Sequence, residues 1–361
     1  MKIATILLKY DYGIKERGDS LEKIAFLPAI KKYTSDVYEF WLEENGYPED
    51  KEGLQRKIIE FCDKSKPDYV FFILMKDEVK ISTLEELKKR YKTINFFCDD
   101  QWRFENFSKY VAPTLSYALT VDKFSMDKYR KIGCNSVHTQ WGTFNYKQAD
   151  TEKKYEFDIS FVGGKNSVRE WYIDQLKQCG IHVECFGSGW ANGRVSEERM
   201  CEIFKNSRIN LNLSNSIPRD YLYHDLIKQK LILKSFKSVF KINRPKKYMK
   251  AVLGPLLEIQ KLKSGEKSVE QLKARNYEIA GCGGFQLSQY ALELEDYFDI
   301  GKEIAIFTNI SELEKQVRYY LEEENKREEI SYRGYLRAQE YSYDKIIFRA
   351  FEEIKQCEKP V

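Results

Sequence analysis

The sequence has few residues of the kinds that build metal centres or disulfide frameworks. It contains three histidines, and its eight cysteines are scattered without a Cys-x-x-Cys pair. No histidine stands at ligand spacing from a cysteine, so the pattern indicates neither a zinc site nor a set of structural disulfides. We therefore predict reduced cysteines, no bound metal and no cofactor.

Long apolar runs are also absent. The apolar run at residues 1–10 is too short for a signal peptide, and no later run is long enough to span a bilayer. The expectation is a cytoplasmic protein whose only membrane contact would be peripheral, at the inner face.

The sequence has little net charge, because 60 Lys and Arg nearly cancel 56 Asp and Glu to leave +4. This balance argues against a dedicated nucleic-acid binder unless the basic residues are clustered. The apolar fraction of 42% and the aromatic fraction of 14% are typical of a globular protein. A length of 361 residues exceeds what one ordinary core supports, so two domains are expected.

Short apolar runs alternate with longer amphipathic stretches, which predicts an α/β fold of parallel strands joined by helices. A polar linker near 145–156 separates a first domain, 1–150, from a second, 151–335. The last segment, 336–361, is predicted as a helix that either crosses back over both domains or packs on its own core. The expected strands are 3–8, 69–74, 95–98, 115–121 and 136–140, then 158–162, 182–186, 209–213, 285–287 and 304–307.

Glycines and small polar residues follow the predicted strands of the second half. Bare backbone there lets N–H groups approach a phosphate, and hydroxyl or amide side chains can bond a ribose or a base. The alternative is that these glycine segments are ordinary turns that connect a strand to the next helix. The turns are Gly163-Gly164-Lys165, Gly187-Ser188-Gly189-Trp190, Ser214-Asn215-Ser216 and Ser288-Gln289.

One further segment carries opposite charges into a glycine turn. Lys273, Arg275 and Glu278 lie on a predicted helix that runs into Gly283-Gly284 and then a strand. The planar guanidinium of Arg275 could grip a diphosphate bidentately, and Glu278, on the same helix face, could accept hydrogen bonds from both ribose hydroxyls. The alternative is an ordinary helical ion pair between the two side chains.

The same residues carry a family resemblance. The run 265–303, with Arg275, Glu278 and Gly283-Gly284, resembles the nucleotide-sugar half of the spore-maturation CgeB-like glycosyltransferases. Weaker similarity reaches back to 161–163 and 186–190. Residues 10–13, 66–68, 99–104 and 140–141 resemble the amino-terminal domain that accompanies this family.

The resemblance implies a metal-independent glycosyltransferase of the GT-B type, with two Rossmann-like domains facing across a cleft. It implies a nucleoside-diphosphate sugar as donor, with Arg275 at the diphosphate and Glu278 at the ribose, and a glycan, lipid-linked or protein acceptor. Retaining GT-B enzymes often have two glutamates separated by seven residues. Glu270 and Glu278 have that spacing, but Glu270 lacks the usual glycine-rich context, so the stereochemical outcome stays open.

Carboxylates follow three predicted strands of the amino-terminal half, at Asp11, at Asp99-Asp100 and at Asp122. An inverting transfer needs a base within hydrogen-bond reach of the acceptor hydroxyl, and Asp100 and Asp11 are the leading candidates, with Asp99 beside them. The alternative for the Asp99-Asp100 pair is a helix or turn cap. Three aromatic residues and one arginine either form a surface on which the acceptor sugar stacks or belong to the core. They are Tyr12, Trp102, Arg103 and Trp141.

A basic insertion at about 217–264 departs from the family pattern. From Leu226 to Lys250, lysines interleave with apolar residues at helical spacing, which predicts a basic amphipathic helix. It either docks on an anionic membrane surface that holds a lipid-linked acceptor or packs on its own domain with a solvated lysine face. His224, near a predicted strand end, could touch the donor.

Two other functions compete with sugar transfer. A nucleotide-sugar epimerase of the same architecture would turn over donor without any acceptor. A DNA-binding or DNA-modifying protein would bind its polymer with a strong dependence on salt, although the sequence has no helix-turn-helix or aromatic RNA-binding signature.

Overall fold

The computed structural model describes residues 1–144, 146, 154–213 and 270–358. The chain forms two compact units: unit 1 is Met1–Phe144 together with Glu340–Val361, and unit 2 is Asn145–Gln339. The first boundary lies a few residues before the expected one. The end of the chain belongs with unit 1 instead of standing alone.

Unit 1 is built on a six-stranded parallel sheet with the strand order β2-β1-β3-β4-β5-β6. The central strands are apolar and buried over their whole length, as expected for a parallel sheet covered by helices on both faces. The strands are β1 Lys2–Leu7, β2 Asp36–Trp41, β3 Tyr69–Phe72, β4 Lys92–Phe97, β5 Tyr117–Thr120 and β6 Ser136–His138. The α-helices between them are α1 Leu27–Tyr33, α2 Lys51–Ser65, α3 Ile81–Lys88, α4 Asp100–Arg103, α5 Lys109–Val111 and α6 Ser125–Lys131.

Unit 2 contains a five-stranded parallel sheet with the order β11-β10-β9-β7-β8. Its strands are β7 Phe157–Val162, β8 Glu184–Phe186, β9 Ser207–Asn212, β10 Gln286–Gln289 and β11 Ala305–Phe307. Its helices are α7 Ser167–Gln178, α8 Glu197–Lys205, α9 Ala274–Gly281, α10 Leu294–Tyr297, α11 Ile310–Glu322 and α12 Glu324–Gln339.

The predicted α/β fold is confirmed, and all ten predicted strands are present with shifted ends. The prediction missed β2, the edge strand of unit 1. Three of its six residues are only partly buried and two are exposed, so it has no continuous apolar run. An edge strand with mixed polarity therefore gives a weak sequence signal.

The predicted C-terminal helical segment is divided between the two units. Helix α12 ends at Gln339 in unit 2, and a separate helix, α13 Tyr343–Cys357, packs in unit 1. Phe351 of α13 is fully buried and stacks on Tyr33 at 5.0 Å between ring centroids. The chain thus returns to the unit in which it began.

Both sheets have the same pattern, in which the first strand lies between the second and the third. The strand order therefore reverses between β1 and β3 in unit 1, and between β7 and β9 in unit 2. Ligands of open α/β sheets bind outside the carboxyl ends of the strands at such a reversal. The residues after β1, β3, β7 and β9 are consequently the first places to look for a site.

Candidate functional site

In unit 2 the helix α9 starts from a fixed network of polar side chains. Asn276 accepts a hydrogen bond from the backbone N–H of Lys273 (3.1 Å) and donates to the hydroxyl of Ser288 on β10 (3.1 Å). Asn212, the last residue of β9, donates to the same hydroxyl at 3.1 Å. The start of α9 is therefore tied to the carboxyl ends of two neighbouring strands.

Arg275 and Glu278 form an ion pair on α9, with 2.6 Å between Nη1 and Oε2. The Glu278 side chain is almost buried, at 8% exposed, and the Arg275 side chain is 26% exposed. The Arg275 guanidinium also lies 5.3 Å from the ring centroid of Phe204. The helical ion pair considered as the alternative is thus present, and it holds the guanidinium in one place.

A second arginine, which the sequence analysis did not single out, lies at the strand-order reversal. Arg169, on α7, donates from Nε to the carbonyl of Leu213 (3.1 Å) and from Nη1 to the carbonyl of Gly164 (2.8 Å). These two carbonyls follow β9 and β7, the strands on either side of the reversal. Arg169 therefore bridges the loops between which a ligand of this sheet would lie.

Electrostatics connect the two arginines. Burial, and to a smaller extent the positive charge of Arg275, lower the pKa of Arg169 to about 10. Two guanidinium groups that repel each other are stabilised by an anion that both can bind. The carboxyl edge of unit 2 therefore carries two guanidinium groups whose positive charges act on each other. A sequence signal for Arg169 does exist. It lies in the first turn of α7, directly after the glycine turn at 163–164 and the capping residue Asn166.

The glycine turns after β7 and β8 are fastened to each other. Trp190 donates from Nε1 to the carbonyl of Gly163 (2.9 Å), and the Lys165 ammonium lies 5.2 Å from the Trp190 ring centroid. Gly187 has a φ of +123°, and a Cβ there would stand 2.3 Å from the carbonyl oxygen of Gly163. Only glycine fits such a position. Gly189, two residues later, also has a positive φ.

The remaining predicted donor residues occupy different surroundings. Glu270 accepts a hydrogen bond from Gln289 at the end of β10 (3.1 Å). Gly283 has a positive φ, and Gly284 packs so closely that a Cβ would stand 2.6 Å from the carbonyl oxygen of Phe204. Ser214, Asn215, His224 and the whole basic insertion lie outside the described residues.

In unit 1 the prediction for Asp100 needs correction. Its carboxylate is fully buried and accepts hydrogen bonds from the hydroxyls of Ser108 (2.5 Å), Thr120 (2.5 Å) and Tyr129 (2.7 Å). Burial raises the pKa of Asp100, and the three hydroxyl donors oppose that rise. A carboxylate enclosed in this way holds α4, β5 and α6 together and does not reach an acceptor hydroxyl.

Asp11 and Asp99 are better exposed. Asp11 lies in the loop after β1 with an oxygen 4.0 Å from Arg17, and Asp99 precedes α4 after β4. Tyr12, which follows Asp11, has a φ of 56° and is 54% exposed. Desolvation raises the pKa of Tyr12, and the negative charges of Asp99 and Asp11 raise it further.

A carboxyl group that the sequence analysis did not single out, that of Glu22, also lies in unit 1. Glu22 opens a π-helical turn, Glu22–Phe26, after the β1 loop. Burial raises the pKa of Glu22 to about 7, with a smaller contribution from Asp11. Trp141, by contrast, is buried and packs on Phe96 at 5.5 Å between centroids, so it belongs to the core of unit 1.

No group of three or more His, Cys, Asp or Glu side chains in the described part of the chain is arranged to hold a metal ion. In that same part, every helix is too short or too polar to cross a membrane.

Residues 241–351 match the model of a family described as glycosyl transferase-like. Anabaena HepE, solved in complex with UDP-glucose, superposes with a TM-score of 0.61 at 11% identity, covering 99% of this chain and 100% of that one. No curated protein sequence matches the chain.

Two further solved structures cover whole chains on both sides. A glycosyltransferase from Rickettsia africae superposes with a TM-score of 0.56 at 10% identity, covering 100% of each chain. Sucrose-phosphate synthase from Thermosynechococcus elongatus superposes with a TM-score of 0.56 at 9% identity, covering 99% of each. These superpositions show that the chain has the GT-B fold.

Proposed function

We propose that this protein transfers a sugar from a nucleoside-diphosphate sugar that unit 2 binds. The observation that carries the proposal is the pair of guanidinium groups, Arg169 and Arg275, at the carboxyl edge of the unit 2 sheet. The HepE structure that superposes on this chain contains UDP-glucose, which is a donor of this class.

The contacts in unit 2 indicate which residues bind the nucleoside-diphosphate sugar. Arg275 and Arg169 bind the diphosphate, and Glu278 exchanges part of its ion pair for the ribose hydroxyls. Lys273 adds positive charge at the start of α9. The glycine turns at 163–164, 187–189 and 283–284 let the backbone approach the nucleotide, with Ser214, Asn215 and Glu270 as the remaining contacts.

On the acceptor side, Asp11 or Asp99 serves as the base, because both follow strands of the unit 1 sheet and are partly exposed, whereas Asp100 is fully buried. The exposed ring of Tyr12 offers a sugar-stacking surface. The acceptor is a glycan, a lipid carrier or a protein. The CgeB-like subtype, metal-independent catalysis, a cytoplasmic location and a role in polysaccharide biosynthesis belong to the same proposal.

A lipid-linked acceptor would require a membrane surface, for which we propose the basic segment from Leu226 to Lys250. Co-sedimentation with liposomes, with and without anionic lipid at low salt, tests this. Protein that stays in the supernatant with both lipid compositions contradicts the membrane part and leaves donor binding untouched.

Donor binding is tested by calorimetry and thermal shift with a panel of nucleoside diphosphates. A ligand of the folded state raises the melting temperature by mass action. We expect one diphosphate to bind wild type, and Arg169→Ala and Arg275→Ala each to weaken it about tenfold or more, since each removes a charge-assisted contact. The matched control is Arg333→Ala, which removes an exposed pair with Glu329 on α12.

Unchanged affinity in both arginine variants would contradict the site. Donor turnover without any acceptor would favour the epimerase, and salt-dependent DNA binding would favour the polymer-binding alternative. No finding described above favours either.

A further inference from the structure

The β1 loop, residues 8–20, is closed on itself by backbone hydrogen bonds. It carries Asp11 and Tyr12, which are the candidate base and the exposed ring of the acceptor side. The N–H of Asp11 donates to the carbonyl of Gly18 (3.0 Å), and the N–H of Ile14 donates to the carbonyl of Asp11 (3.2 Å). These bonds fix the shape of the loop, but its place against the sheet depends on contacts from outside it.

Glu43, which directly follows β2 and Leu42, provides such a contact at the start of the β1 loop. Its carboxylate accepts the backbone N–H of Lys9 at both oxygens (2.9 and 3.0 Å) and the N–H of Tyr10 at Oε1 (3.0 Å). The pairing of β1 with β2 ends just before, where the N–H of Leu42 donates to the carbonyl of Leu7 (3.0 Å). The Glu43 side chain therefore continues the connection between the two strands beyond the sheet, through charge-assisted hydrogen bonds.

The segment that carries Glu43 contacts the β1 loop at a second point. The ring of Tyr47 lies against Gly13, where a Cβ would stand 3.1 Å from Cε1 of Tyr47. Tyr12, beside Gly13, has a φ of 56°, which is the left-handed region that side chains other than glycine rarely adopt. Such a conformation persists only where the surrounding structure holds it. Residues 43–47 therefore support both the start of the loop and the turn that presents Tyr12.

We propose that Glu43 is a positioning residue for the acceptor side of the reaction. Its carboxylate holds the β1 loop, so that Asp11 and Tyr12 meet the acceptor in one orientation. Glu43 acts through the loop, because both of its oxygens accept backbone N–H groups. This role rests on the function proposed above.

The reaction step defines what the loop must hold in place. With water as the probe acceptor, the water oxygen bonds to the anomeric carbon of the sugar while the bond from that carbon to the diphosphate oxygen breaks. The water proton passes to the carboxylate that serves as base, and the nucleoside diphosphate leaves with the bonding electron pair. A base displaced by about 1 Å loses a large factor in rate, whereas donor binding to unit 2 does not involve the loop.

Hydrogen–deuterium exchange of the full chain tests whether Glu43 holds the loop. Glu43→Ala removes both acceptor oxygens, so peptides within residues 8–14 should exchange about tenfold faster. Peptides of β3, the other neighbour of β1, should keep the wild-type rate. The matched control is Glu44→Ala, because Glu44 contacts the ammonium of Lys9 instead of its backbone. Wild-type exchange of the loop in Glu43→Ala would overturn the proposal.

Kinetics separate positioning from a loss of structure. The probe reaction is hydrolysis of UDP-glucose, the ligand of the HepE structure, and UDP affinity is measured by calorimetry. We expect Glu43→Ala to lower kcat about tenfold and to leave UDP affinity unchanged. Glu43→Gln keeps one acceptor oxygen and should recover part of the lost rate. Glu44→Ala should match wild type.

Two kinetic results would overturn the positioning role. One is a wild-type kcat in Glu43→Ala although its loop exchanges faster. The other is a parallel loss of kcat and UDP affinity in both Glu43 variants, which would mean general destabilisation. Wild-type protein that neither binds UDP nor hydrolyses UDP-glucose contradicts the proposed function instead, and the positioning role falls with it, while the exchange contrast still shows whether Glu43 holds the loop.

Discussion

Asp100 shows how one buried carboxylate can be essential to a fold without being a catalytic base. Its oxygens receive three hydroxyl donors from Ser108, Thr120 and Tyr129, and the residue is fully buried inside unit 1. A candidate base must instead be able to reach a substrate proton. A structural aspartate and a catalytic aspartate can both follow a strand, and only burial distinguishes the two.

Replacing Asp100 with Asn should therefore lower stability. The amide has one acceptor oxygen instead of two. Its NH2 group faces hydroxyl groups that already act as donors, and this mismatch costs about 1–3 kcal/mol. The free energy of unfolding from denaturant titration measures this. Asp127→Asn, which removes an exposed pair with Arg130, is the control and should change little. An Asp100→Asn variant of wild-type stability would contradict a structural role.

Glu22 predicts a pH dependence of opposite sign to that of an ordinary surface carboxylate. Burial raises its pKa from 4.5 to about 7, so the folded state holds this proton more tightly than the unfolded state does. The stability from this group is complete below pH 4.5 and is lost as pH rises towards 7.

The neutral variant Glu22→Gln should remove that loss. Its free energy of unfolding relative to wild type should rise by about 1–3 kcal/mol between pH 4.5 and 7.5. Denaturant titrations of both proteins across this range measure the difference, with the exposed Glu60→Gln as control. A difference that does not change with pH would mean that Glu22 ionises normally.

At the scale of elements, α13 shows how a terminal helix is held by one face. Phe351 is fully buried and meets Tyr33, Tyr69 and Phe71, whereas Phe348 on the same helix is 55% exposed. The two phenylalanines are three residues apart and both contact Tyr33, but Phe351 points into the core whereas Phe348 lies at its exposed edge. The helix therefore completes the core of unit 1.

Truncation of these two rings should have unequal effects. Phe351→Ala leaves a cavity in the core and should destabilise unit 1 by about 3–5 kcal/mol. Phe348→Ala removes a mostly exposed ring and should lower the free energy of unfolding much less than Phe351→Ala does. Thermal and denaturant unfolding of both variants measure the contrast, and equal losses would show that α13 is not packed as described.

Element boundaries followed from the sequence where burial was uniform. Strands β3 and β5 of unit 1 are buried over their whole length and were predicted with small errors at their ends. Strand β2 was missed because its residues face different environments. The division of the last helical segment between the units was also missed, since periodicity alone does not say which core a helix joins.

At the scale of the whole molecule, the metal-independence of the proposed reaction is open to direct test. If guanidinium groups at the unit 2 sheet edge neutralise the leaving diphosphate, a divalent cation is not needed. Donor binding and sugar transfer should then persist after exhaustive treatment with EDTA. The measurement is turnover with and without chelator, and activity that disappears with EDTA and returns with added Mg²⁺ or Mn²⁺ would contradict this.

The sequence by itself determined the α/β class, the positions of ten strands and the glycine and charged residues at their ends. These are local properties, because apolar period, turn chemistry and residue type are read within short windows. It also placed Arg275 and Glu278 together, since residues three apart on a helix share a face.

Only the tertiary structure decided which of these groups share an environment. It placed Arg169 between the loops after β7 and β9 and enclosed Asp100 among three hydroxyls. Burial and charge proximity depend on contacts between distant segments, and such contacts set pKa values and ligand access. A single sequence carries no local signal for them.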